Sequence, residues 1–310
     1  MKKGISYLIL TLTTIVWGFA FVMQDVATLI PAFWVGVMRS LFASIFLLAV
    51  IPVMDRVTKN GRRLFVPKKI LDFNRHELLG GATLGVIITV ATGFQQYGLS
   101  LGTESGKAAF ITALYIVFVP IISSIFGKKP GLFAIISVPI AVVGSYFLCV
   151  KPGTQLALSD ILVLACALVF ACHIVVVDRF SPRCDGVRMS FIQFSVSFLL
   201  NLILALIFEE APTPEAVLSV MPPLLYLGLF SSGVGYTLQI IGQRGADPTI
   251  ASMIMSMESV VGVISAVIVL GDQMDFREYI GCGIMLLAIL IAQLDIKTIK
   301  RLFNKNEVKL

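Results

Sequence analysis

Three ionisable side chains, Arg39, His173 and Glu258, fall deep inside long apolar stretches of this sequence. A charge at the centre of a bilayer costs about 2.5 to 3.5 kcal/mol even on the lenient insertion scale, so such groups normally face a cavity or a partner. Glu258 shares its helical face with Ala251, Gly262 and Ser265, small groups that leave space before the carboxylate. That makes it a candidate for reversible protonation or for pairing with a cationic solute. Arg39 sits among Ala32, Gly36 and Ala43; an Arg39 to Glu258 ion pair that only holds helices together is the competing reading. His173 reads as a packed, hydrogen-bonded histidine or as a relay. Cys166 lies two helical turns from His173, but a zinc-type site needs further ligands that the sequence does not supply, so no metal and no cofactor are expected.

Aromatic and amide residues recur at similar depth. Trp17 and Phe21 share a face with Gln24, and Phe94, Tyr115, Phe118, Phe170 and Tyr236 follow in later stretches. An aromatic-and-amide lining suits organic solutes better than bare ions. Pro120 and Pro139 are expected to interrupt the fourth and fifth helices and to bend them.

The elements that must position these groups follow from composition. The 310 residues are 57% hydrophobic and 14% charged, with a mean hydropathy of +0.95, whereas soluble domains are about 25% charged. Spans of ~20 apolar residues satisfy their own backbone as helices in lipid. Ten are predicted, at 5–24, 31–54, 78–97, 107–126, 132–149, 157–178, 188–208, 222–242, 249–270 and 278–295. The first continues past Trp17 without an Ala-x-Ala site, so it reads as a retained helix.

Charge sets the orientation. With the N-terminus inside, 20 of the 24 Lys and Arg residues fall in cytoplasmic segments, notably 55–77 and the tail 297–310. Lys107, Lys151 and Arg277 fall outside, and Arg39 lies within a span. This bias predicts cytoplasmic termini. It also accounts for the net charge of +6 as topology-setting, with no call for a nucleic acid. The five cysteines form no CxxC pair, and no disulfides are expected.

The chain repeats itself. At an offset of 143, Gly85 falls on Gly228, Thr89 on Ser232, Gln96 on Gln239 and Tyr115 on Glu258. Gly85, Thr89, Thr92 and Gln96 form one small and polar stripe, which Gly228, Ser232, Gly235 and Gln239 echo. At an offset of 154, RSLFASIFLL from Arg39 lies over QFSVSFLLNL from Gln193. Five helices per half is an odd number, so the second half enters the membrane inverted. The predicted units are 1–150, 156–296 and a basic tail 297–310. Gln96 then lies toward the outer surface and Gln239 toward the inner one, and the matched stripes either line a pathway or pack helices closely.

Several activities find no support. GTESGKA at 102–108 has three residues between its glycines where a phosphate loop has four, and its lysine precedes Ala108. No HExxH, GxSxG or TVGYG occurs, so neither an intramembrane enzyme nor a selective channel is indicated.

TTIVWGFAFV at 13–22, the Arg39 helix, TESGKAAFITALYIVFVPIIS at 103–123 and PTIASMIMSMESVVGVISAVIVLGDQ at 248–273 together resemble the EamA family of the drug/metabolite transporter superfamily. The resemblance implies a ten-helix bundle in the bacterial inner membrane with a central cavity, and export of amino acids or related metabolites. The family's Leu-Glu-Pro in the ninth helix reads Met257-Glu258-Ser259 here, which keeps the carboxylate and loses the proline kink. The expectation is a secondary transporter of neutral or aromatic amino acids, with a small-molecule substrate, the lipid bilayer and protons as partners. Residues expected at the pathway are Trp17, Phe21, Arg39, Thr89, Gln96, Tyr115, His173, Tyr236, Gln239 and Glu258. An exporter of cations using Glu258 as counter-ion, and a receptor or assembly factor that transports nothing, are the alternatives.

Overall fold

A computed structural model describes residues 2–57, 72–150, 153, 157–270, 274–292 and 294. Most of the basic segment 55–77 and the whole tail 297–310 lie outside the described residues. Fourteen α-helices are described: α1 (Lys3–Val26), α2 (Ala32–Val57), α3 (Arg75–Ser100), α4 (Ser105–Ala113), α5 (Tyr115–Ile125), α6 (Leu132–Cys149), α7 (Leu158–Phe180), α8 (Gly186–Phe208), α9 (Pro214–Ser219), α10 (Met221–Leu225), α11 (Tyr236–Gln243), α12 (Pro248–Met255), α13 (Glu258–Leu270) and α14 (Phe276–Ala292). A π-helical segment, Tyr226–Gly235, joins α10 to α11.

Nine stretches among the described residues are long and apolar enough to cross a membrane, from Lys3–Leu29 to Pro248–Ser265. The tenth expected span corresponds to α14, which has 17 residues and packs along α6. Polarity is inverted relative to a soluble protein. Ser6, Thr13, Gln193 and Asn201 are buried, while Leu8, Ile45, Leu199 and Leu290 face outward, as a bilayer solvent requires.

Local chemistry fixes the helix ends. Asn74 Oδ1 accepts from the Glu77 amide at 2.8 Å while Glu77 Oε2 accepts from the Asn74 amide at 3.0 Å, a capping box that starts α3. Asp185 caps α8, and Asp247 followed by Pro248 starts α12. The prolines do not break helices where expected: Pro120 and Pro139 both remain inside α5 and α6. The fourth span breaks instead at Leu114, and the ninth breaks at Ser256 and Met257 although no proline is present. In both places the two halves are joined by one tightened turn, as Leu114 N to the Ile111 carbonyl and Met257 N to the Ile254 carbonyl show.

The two ends of the bundle are tied by charged groups. At the basic end Arg188 Nη2 bonds Asp55 Oδ2 at 2.7 Å and Glu77 Oε1 accepts from the Asp185 amide at 2.9 Å. At the opposite end the Glu209 carboxylate accepts from the Phe33 amide at 3.0 Å, the Trp34 amide at 3.2 Å and the Tyr97 hydroxyl at 2.8 Å. Lys107 Nζ meets Asp160 Oδ2 at 2.8 Å at that end too. Hydrogen bonds to charged groups contribute about 1.5 to 3 kcal/mol. Glu209→Ala orphans two amides at the start of α2, so thermal unfolding in detergent is expected to report a loss of that order; an unchanged midpoint would show the clamp to be energetically idle.

Candidate functional site

The π-helical segment and the two helix breaks meet at the middle of the bundle. A π turn shifts the register, so that Ser231 and the adjacent Ser232 both reach Arg39 of α2. Arg39 Nε donates to Ser232 Oγ at 3.1 Å, Nη2 to Ser231 Oγ at 3.4 Å and Nη1 to Gln24 Oε1 at 3.3 Å. The Trp17 indole N–H donates to the Ser231 carbonyl at 3.1 Å. Trp17 can come this close because residue 235 is glycine: any Cβ there would run into the indole nitrogen.

Glu258 and Tyr115 each stand at the first residue of a helix that follows a break. The Tyr115 hydroxyl donates to Glu258 Oε1 at 3.1 Å. The two residues that the internal repeat superposes are therefore hydrogen-bonded to each other. No ion pair joins Arg39 and Glu258: the guanidinium is held by neutral oxygens, and the carboxylate by a phenol. The competing reading, a structural ion pair between them, is not what holds these helices.

Both side chains line one central cavity of about 40 Å³, shared with Trp17, Phe21, Tyr115, Tyr236 and Gln239 among the expected residues. Gln24, Gln95, Thr112, Phe170 and Ser231 also line it, with Ala20 and Ile174. Gln95 was hidden by its neighbour: the stripe reasoning selected Gln96, and one residue along a helix turns the side chain about 100° away. Ser231 was hidden by the π turn, whose only sequence trace is the small-residue run Ser231-Ser232-Gly233. A volume of this size holds about three waters.

Three expected residues lie elsewhere. Thr89 bonds the Gly85 carbonyl and Ser197 Oγ, at 2.7 and 3.0 Å, in a hydroxyl network with Ser40 between α2, α3 and α8. Gln96 donates to the Gln24 carbonyl at 3.2 Å and borders a small gap beside Arg39 and Asn201. His173 is fully buried and stands edge-on to Tyr236, with ring centroids 5.5 Å apart. The glycine stripes also serve packing: Gly85 abuts the Gln193 carbonyl of α8, and Gly228 abuts Phe42 and the Arg39 carbonyl of α2.

Interrupted helices converging on a central cavity of mixed aromatic and polar lining, within a bundle of membrane-spanning length, define a transporter-type architecture. The chain belongs to the EamA-like transporter family, whose model matches residues 4–150 and again residues 157–293. It is 30% identical over 221 residues to an uncharacterized transporter of Archaeoglobus fulgidus, covering 70% of this chain and 69% of that protein. A solved crystal structure of a protein superposes with a TM-score of 0.75 at 15% identity, over 94% of this chain and 97% of the other. At that identity the likeness speaks for the fold alone. Family and relative alike are transporters by name.

Proposed function

We propose that this chain is a secondary transporter of amino acids, neutral or aromatic, working by alternating access as an exporter from the bacterial inner membrane. The observation that carries the substrate class is the coexistence of Arg39 and Glu258 in one cavity wall without an ion pair between them. A fixed cation and a carboxylate that do not satisfy each other complement a zwitterion, the carboxylate of the solute toward Arg39 and its ammonium toward Glu258. Trp17, Phe21, Phe170 and Tyr236 supply the apolar wall for a side chain.

The mechanism we infer is exchange of conformation between two inverted five-helix halves, 1–150 and 156–296, with ten spans and both termini cytoplasmic. Its support is a set of reciprocal packings. α3 packs on α8 as the π segment packs on α2, and α4 and α5 pack on α7 as α12 and α13 pack on α1. The double match of the family model agrees with it. The basic end, with Arg75, Lys128, Arg179 and Arg188, is the cytoplasmic one on this reading, and Glu258 is the group that exchanges a proton.

Counterflow in proteoliposomes tests the proposal. Preloaded unlabelled phenylalanine, tyrosine or leucine is expected to drive accumulation of the labelled solute, and a quaternary ammonium dye is not. Exchange of the dye with no exchange of any amino acid would move the assignment to cationic compounds, and exchange of neither would sink transport of both classes.

A further inference from the structure

We propose that the groove between the basic-end turns of α5 and α7 binds the headgroup of an anionic phospholipid. The groove has a volume of about 290 Å³, close to the lower bound of roughly 300 Å³ for small-ligand pockets. It lies outside the central cavity and shares no residue with it. At its wall Ser123 is buried, and its hydroxyl has no hydrogen-bond partner. A donor left unmet at such a place costs about 1 to 3 kcal/mol unless an acceptor arrives.

The charges around it favour an anion. Arg179 is exposed and makes no ion pair among the described residues, while Lys128 is paired with Asp178 at 2.5 Å. Lys128, Asp178 and Arg179 together leave one net positive charge, and Lys129 stands next in the chain. Membrane position decides which anion. The groove sits where the spans Gly106–Ile125 and Leu158–Arg183 end, and Ile121, Ile125 and Phe126 are exposed alongside it. A dissolved phosphate has no use for an apolar flank, whereas a lipid lays its acyl chains against one. Basic pockets between helices at the membrane surface recognise anionic headgroups in this way. The site is independent of the solute the central cavity accepts.

The test uses the full chain, purified in detergent and depleted of lipid. Thermal unfolding is recorded with phosphatidylglycerol, phosphatidylcholine or inorganic phosphate added, and native mass spectrometry counts retained lipid. Phosphatidylglycerol is expected to raise the midpoint, and the other two to leave it in place. Arg179→Gln is expected to weaken phosphatidylglycerol retention about fivefold, the worth of one cation near a headgroup. Arg183→Gln, exposed at the same end outside the groove, is expected to change nothing. Equal losses in the two variants would reduce the effect to general surface charge and overturn the site. Equal stabilisation by the neutral lipid, a full effect of free phosphate, or a dimer that Arg179→Gln dissociates would overturn it as well, each naming a different occupant.

Discussion

Glu258→Gln is expected to abolish pH-dependent net transport in proteoliposomes while leaving the protein folded and exchange of solute weakened but present, since the amide oxygen still accepts from the solute ammonium without the charge. The amide keeps the shape of the protonated carboxyl, and its oxygen still accepts from the Tyr115 hydroxyl that now lies 3.1 Å from Glu258 Oε1. Stability is expected to hold because the carboxylate forms no ion pair that the change would break. What the variant loses is the ability to alternate between charged and neutral forms as the pathway opens to each side. If Glu258 were only the counter-ion of a cationic solute, exchange would fail along with net transport. Normal pH-dependent transport by a well-folded Glu258→Gln protein would refute the assignment outright.

Arg39→Leu is expected to cost at least ~30-fold in affinity for solutes bearing a carboxylate, since removing one partner of a buried charged contact costs about 2 to 5 kcal/mol. Arg39→Lys keeps the charge and loses the fork that reaches Gln24, Ser231 and Ser232 together, so an intermediate loss is expected. Decarboxylated analogues separate recognition from structure. Phenethylamine competes at Glu258 alone, so its binding relative to phenylalanine is expected to improve in Arg39→Leu. A parallel fall for acid and amine would show that Arg39 organises the cavity without touching the solute.

Nine of the spans were legible in the sequence because lipid leaves a helix no external partner, and unbroken apolar runs of about 20 residues report that constraint directly. The pairing of Tyr115 with Glu258 was half legible. Their equivalence could be read from the repeat, but that they touch depends on two helix breaks that no proline announces. Pro120 and Pro139 misled for the complementary reason: inside a packed bundle a helix tolerates a proline when neighbours hold its course. Arg39 and Glu258 stood out because each is costly at that depth, whereas Gln95 and Thr112, bonded to each other at 3.0 Å, are ordinary residues made special by rotation and register. The Glu209 clamp escaped notice since it joins residues far apart in the chain, and nothing local to Glu209 distinguishes it from a solvated loop carboxylate.

That clamp has a mechanical consequence. Glu209, at the end of α8, fastens the start of α2 and the end of α3, and at the other extremity Arg188 and Asp185 of α8 fasten Asp55 of α2 and Glu77 of α3. The three rods are thus bolted at both tips, with the Ser40, Thr89 and Ser197 hydroxyls riveted between. They form a chassis, and sliding any one past another would shear several charged contacts at once. For the alternating access proposed above, the joints would be the two broken spans, at Leu114 and Met257, whose half-rods pack on α7 and α1 beside that frame.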